Sequence, residues 1–105
     1  MSRLAQLQQM VVDEPFDPFV HYALAMEHVK LGETEIALQQ LAAMNGTFPD
    51  YVAAWHQRGR LLVEKGESDA AREVLQRGIA AAQRAGDSHA AGEMQGLLDM
   101  LQAEW

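Results

Sequence analysis

Cysteine is absent from all 105 residues, which removes disulfides, thiolate chemistry and Cys-ligated zinc together and fits a reducing, cytoplasmic setting. Basic charge is scarce. Eight Lys and Arg stand against fifteen Asp and Glu, a formal net charge of −7. The summed field repels phosphate backbones, so neither nucleic acid nor an anionic membrane is expected as a partner. No apolar stretch reaches the roughly 18 residues of a membrane span. The N-terminal MSRLAQLQQMVVDEP has one Arg and no apolar run of signal-peptide length. Val, Ile and Phe are few, and the 49% of hydrophobic residues is rich in Ala, which favours helix over sheet.

What is present is helical periodicity broken at regular places. Ser2 is read as the N-cap of a short helix to Val12, with Leu4, Leu7, Met10 and Val11 on one face and Pro15 beyond its end. Asp17 and Pro18 open a second helix, since a proline at the first helical position loses no hydrogen bond. Its buried side is read as Val20, His21, Leu24, Ala25, His28 and Leu31, and Gly32 closes it. The pattern then predicts a helix from Thr34 to Met44, broken by Asn45-Gly46 and Pro49. A further helix runs from a cap near Asp50 to Gly66, and another from Ser68 or Asp69 to Ala85, stopped by Gly86. Asp87 or Ser88 caps a last helix whose face is Ala91, Met94, Leu97, Leu98, Leu101 and Trp105.

The stretch YVAAWHQRGRLLVEKG, Tyr51 to Gly66, has a counterpart 34 residues upstream. At that shift His21 falls on Trp55, Ala25 on Gly59, Gly32 on Gly66, Ala37 on Ala71, Leu41 on Leu75 and Pro15 on Pro49. A fixed period of this length means repeated helix–turn–helix units. The small residues Ala25, Gly59, Ala37 and Ala71 mark where two helices approach closely, with Leu24, Trp55, Leu41 and Leu75 filling the space beside them.

On these residues the chain resembles the tetratricopeptide repeat family, whose unit carries the pattern W-x2-L-G-x2-Y…A-x3-F…P. Trp55, Gly59 and Ala71 match in the second copy, and Leu24, Ala37 and Pro49 in the first. The departures are Arg58 for Leu, Gln83 for the closing Pro, and His21 and His28 for aromatics. The run DPFVHYALAMEHVKLG…PDYVAAWHQRG is also similar to small stand-alone bacterial repeat proteins of this class. The resemblance implies an all-α, right-handed α-α superhelix, a solenoid of about five antiparallel helices in one domain. Its parts would be a capping helix in 1–15, repeats in 16–50 and 51–86, and a second capping helix in 87–105.

The family lines a concave groove with the first helix of each unit. Carried over, its positions are Phe19, Tyr22, Met26, Val29 and Lys30 from the first repeat. From the second they are Ala53, His56, Arg60, Val63 and Glu64. The resemblance thus implies non-catalytic binding of a peptide or helix of a partner protein. Some relatives clamp the carboxylate of chaperone tails with Lys and Asn; Tyr22 and Met26 stand in those places, leaving only Arg60 to reach a carboxylate. The rival reading is a homo-oligomer that buries its last helix and Trp105.

Other chemistry finds little support. His21 and His28 share a face but sit at packing positions, and His89 with Glu93 gives two ligands on one helix, too few for a metal site. Ser2, Ser68 and Ser88 are explained as helix caps, the glycines form no phosphate-binding loop, and no cofactor, metal or catalytic residue is expected. Glu33, Glu35, Glu67, Asp69 and Glu73 gather in first turns, favouring the helix dipoles or a basic partner. Gly92 and Gly96 either permit close packing of the last helix or let it fray.

Overall fold

A computed structural model describes residues 1–103. Among them are six helices and no strand: α1 (Arg3–Asp13), α2 (Pro18–Lys30), α3 (Thr34–Thr47), α4 (Val52–Lys65), α5 (Ser68–Ala85) and α6 (Ser88–Ala103). The count is six where the resemblance implies about five, and each of the six lies where the sequence pattern marks a helix: two in each repeat and one at either end. The chain forms two compact units, residues 1–48 and 49–105.

In the first unit α1 packs on α2 and α2 on α3. Ser2 and Asp17 cap α1 and α2 through Ala5 N–H (3.1 Å) and Phe19 N–H (2.9 Å). Leu7, Val20, Ala25, Ala37, Leu38, Leu41 and Met44 are buried. In the second unit α4, α5 and α6 pack on one another. Trp55, Leu62, Val74, Leu75, Met94, Leu98 and Leu101 are buried there. Fully burying a leucine such as Leu41 or Leu75 contributes about 1.5–3 kcal/mol.

Three helices end in one way. Gly32, Gly66 and Gly86 have φ of 78°, 82° and 71°, a region open to residues without a Cβ. At each, the next N–H reaches back to the carbonyl five residues earlier: Glu33 to His28 (2.9 Å), Glu67 to Leu62 (3.0 Å) and Asp87 to Ala82 (2.8 Å). His28 adds a contact of 3.2 Å from Nδ1 to Glu33 Oε1 across the first of these turns.

The 34-residue equivalence is physical as well as textual. His21 Nε2–H donates to the Pro15 carbonyl at 2.7 Å, and Trp55 Nε1–H donates to the Pro49 carbonyl at 2.9 Å. The histidine departs from the family's tryptophan yet keeps its hydrogen bond. The close-packing reading also holds. A Cβ on Gly59 would overlap the Leu75 side chain, and Ala25, Ala37 and Ala71 have no exposed surface.

Several boundaries differ from expectation. α3 continues through Asn45 and Gly46 to Thr47, because Asn45 is buried and tertiary packing overrides a weak helix former. The stop comes at Phe48, before Pro49, where helical backbone is disfavoured. Leu31 is 51% exposed rather than buried, since it is the C-cap of α2, where the helical period has ended. Asp50 does not cap α4. That place is Tyr51, with no side-chain cap bond, and Asp50 lies 3.5 Å from Arg84 instead. Ser68 and Ser88 are first helical residues rather than caps; Asp87 caps α6 by accepting from Ala90 N–H at 3.0 Å. Gly92 and Gly96 have nothing within 4 Å of an added Cβ, so close packing is not their role. Trp105 lies outside the described residues.

Candidate functional site

The ten positions transferred from the family groove fall on two helices and are taken separately. On α2, Phe19 is 60% exposed at the first turn, held there by the Asp17 cap that fixes its backbone. Tyr22, Met26 and Val29 are half-buried and Lys30 is exposed at the helix end. Spacings of three, four and seven residues put Tyr22, Met26 and Val29 along one side of the helix. That side offers aromatic, thioether and branched surface.

On α4, Ala53, His56, Arg60 and Val63 are half-buried and Glu64 is exposed. Arg60 is engaged within its own helix. Its Nε and Nη2 donate to Gln57 Oε1 at 2.9 and 2.7 Å, and Nη1 donates to Glu64 Oε1 at 2.9 Å. A partner carboxylate reaching Arg60 therefore has to replace Glu64, while a partner cation can join Glu64 directly. The i to i+4 spacing of Arg60 and Glu64 foreshadows this pair, and the intervening Gln57 completes it.

Two features went unseen in the sequence. In the second unit the Arg77 guanidinium stands 5.1 Å from the Trp55 ring centroid, a cation–π contact. Arg58 lies close enough to Arg77 to feel it. Burial first, then the Arg77 charge, lowers Arg58 below the ordinary arginine pKa, and Glu73 opposes that shift. In the first unit a cleft of about 340 Å³ opens between the end of α1 and the hairpin of α2 and α3. Val11, Leu24, Ala43 and Met44 supply apolar wall, and His21 and Phe48 bring two rings, 5.5 Å apart and tilted by 44°. Gln40 lines it too, and its Oε1 is buried without a hydrogen-bond partner. The one textual signal for this cleft is the histidine standing where the second copy has tryptophan.

The metal and hydroxyl candidates take ordinary places. His89 Nε2 pairs with Glu93 Oε1 at 3.1 Å on the surface of α6. Among the described residues no group of three or more His, Asp or Glu is arranged to hold a metal ion. No helix among them is long and apolar enough to cross a membrane.

A family model for the tetratricopeptide repeat matches residues 28–92. A comparison with curated proteins returns no match. Among solved structures, a tetratricopeptide repeat domain protein from Salinibacter ruber, solved by NMR, is 31% identical with a TM-score of 0.79. That match covers 85% of this chain and 90% of the other. A protein from Bordetella parapertussis is 27% identical, covers 99% and 90%, and has a TM-score of 0.82. PcrH, solved in complex with the chaperone binding region of PopD, is 17% identical, with coverage of 96% and 77% and a TM-score of 0.86. The all-α fold class expected from the resemblance is thus the fold of these neighbours. With its own repeat signature, the family match over residues 28–92 and the similarity to the Salinibacter protein, the chain belongs to the tetratricopeptide repeat family.

Proposed function

We propose that the chain is a non-catalytic recognition module that binds a peptide or helix of a partner protein through the α2 and α4 faces. It would act as one domain, with capping segments in 1–15 and 87–105 and repeats in 16–50 and 51–86. The observation that carries the reading is Phe19, a large aromatic left 60% exposed on a helix that also presents Tyr22, Met26 and Val29. Rigid aromatic surface beside an adaptable methionine is the composition of a binding hot spot. Family membership supports it, since repeats of this class generally serve protein interaction. PcrH, which shares the fold, was solved with a region of another protein bound. The cytoplasm is the proposed setting, and no metal or cofactor enters the reading.

The test is affinity capture from the source lysate with wild type, Tyr22→Ala, Arg60→Glu and the double variant, matched first for helicity by circular dichroism. The affinity of the captured protein is then measured in purified form. We expect Tyr22→Ala to weaken it about tenfold, as truncation of a hot-spot contact does, and Arg60→Glu, which frees Glu64 and reverses the charge beside it, to shift the affinity in the direction the partner's charge dictates. Equal retention by all four versions sinks the proposal. Self-association has an observation of its own: Val12, Phe16 and Phe19 are exposed within eight residues of chain. A mass that rises with concentration in sedimentation equilibrium, and falls back in Phe16→Ser, would favour it.

A further inference from the structure

The connection between α1 and α2 carries apolar surface that the repeat does not require. Phe16 is 90% exposed, Val12 72% and Phe19 60%. At a shift of 34 residues these three become Asp50, Gly46 and Ala53, so the second copy makes the same connection without them. Both copies keep the proline, Pro15 or Pro49, whose carbonyl receives a ring N–H. Large apolar groups left in water at positions free to be polar mark a surface that another molecule covers.

The rings stand on a fixed support. Glu14 N–H donates to the Met10 carbonyl at 2.8 Å, Asp17 N–H to the Glu14 carbonyl at 3.2 Å, and Phe19 N–H to Asp17 Oδ1 at 2.9 Å. Pro15 and Pro18 lock two further backbone angles. Three peptide links separate Phe16 from Phe19, so their Cα atoms are no more than about 11 Å apart, within the span of one short segment. A partner meeting these rings finds the backbone already ordered, which lowers the entropic cost of binding.

Charge narrows the occupant. Asp13, Glu14 and Asp17 are interleaved with the rings and make up three of the six carboxylate side chains in residues 1–48. The same span holds one Arg and one Lys. Arg3 stands 3.6 Å from Glu27, and Lys30 ends α2, about 20 Å along the helix from Asp17. Neither answers the three carboxylates. A second copy would bring the same acidic surface and its own net charge of −7, and an anionic membrane is repelled likewise. A bare cation would pair with the carboxylates but leave the phenyl rings in water. A cationic apolar segment meets both demands, with aliphatic side chains on the rings and ammonium or guanidinium groups on the carboxylates.

We propose that residues 12–19 are a docking site for a cationic apolar segment of a partner polypeptide. Its apolar side chains cover Phe16 and Phe19, and its Lys or Arg side chains meet the exposed Asp13 and Glu14, with Asp17 adding to the field. The site goes beyond the face proposed above and shares Phe19 alone with it.

The test uses the full chain with 4-fluorophenylalanine at its three phenylalanines, followed by 19F NMR. Phe48, half-buried with its ring centroid 5.5 Å from that of His21, is the internal control. The probe is the capped peptide Gly-Lys-Leu-Lys-Leu-Lys-Gly. Its comparators are Gly-Lys-Ser-Lys-Ser-Lys-Gly, which keeps the charge, and Gly-Glu-Leu-Glu-Leu-Glu-Gly, which keeps the apolar groups. We expect saturable shifts of Phe16 and Phe19 with Phe48 unmoved, and affinity about tenfold weaker for either comparator. The double change Asp13→Lys/Glu14→Lys places cations at the C-terminal end of α1, where the helix dipole favours them. It should reverse the preference between the two leucine peptides, with helicity unchanged. Tyr22→Ala should leave the shifts intact, so failure of the α2 face and failure of this site are read separately. No shift, equal affinity for a comparator, an unreversed preference in the double variant or loss in Tyr22→Ala overturns the proposal. So do Phe16 and Phe19 signals that move with protein concentration alone, which would put a second copy on the surface.

Discussion

A Cβ added at Gly59 would lie 2.9 Å from Leu75 Cγ and overlap one of its methyl groups, in a side chain with no exposed surface. Leu75 is held close to the backbone at Cγ and cannot swing aside. Gly59→Ala is therefore expected to cost about 1–3 kcal/mol, read as a lower urea midpoint. Gly92 gives the control. It sits inside α6 with nothing within 4 Å of an added Cβ, so Gly92→Ala should gain about 0.5–1 kcal/mol through helix propensity. If both glycines respond alike, the close approach at Gly59 is not what holds it. Arg58 supplies a second residue-scale prediction. Burial and the neighbouring Arg77 charge both disfavour its protonated form. A lowered pKa in a base means that folding works against its charge at every pH below the folded value. The penalty is thus fully present at neutral pH and relieved only in strong alkali. Arg58→Leu, which restores the family residue, is expected to raise the melting temperature by a few degrees, equivalent to about 1 kcal/mol. A fall on thermal unfolding would mean that the arginine's contacts outweigh its burial.

At the scale of the helix, the ends decide how much of the chain is readable. The glycine-terminated helices α2, α4 and α5 have ends that follow from one residue, because only a left-handed residue closes the two back-reaching hydrogen bonds. α3 is less legible. Asn45-Gly46 looks like a break in any local reading, yet burial of Asn45 carries the helix on to Thr47, and burial is a property of neighbours. The starts show the same division. Ser2, Asp17 and Asp87 cap as their side chains predict, while α4 and α5 begin after Tyr51 and Glu67 with no side-chain cap bond. Asp87→Ala should accordingly destabilise α6 by about 1 kcal/mol. Native-state hydrogen exchange checks it: the first amides of α6 should exchange faster while those of α4 are unmoved. Equal protection before and after would assign the start of α6 to packing alone.

For the molecule as a whole, charge is distributed unevenly. Residues 1–48 carry two basic and six acidic side chains, and residues 49–105 carry six and nine. In the second unit Arg60, Lys65, Arg72, Arg77 and Arg84 all stand within 4 Å of a carboxylate. A partner bound by the first unit should therefore be basic, and its dissociation constant should rise several-fold between about 0.05 and 0.3 M salt as screening shortens the field. A salt-independent constant would assign recognition to apolar surface alone. The fold class was readable because periodicity and the 34-residue shift repeat the same information many times. The cleft was not, because a void depends on which groups fail to meet, and only His21 hinted at it. One feature common to both copies bears on how such a chain can change. Each ring nitrogen reaches the carbonyl of a proline six positions before it, so that short span acts as a gauge. α5 meanwhile runs to 18 residues where α3 has 14. Insertions, natural or engineered, should be admitted at the far end of a hairpin and refused between proline and ring.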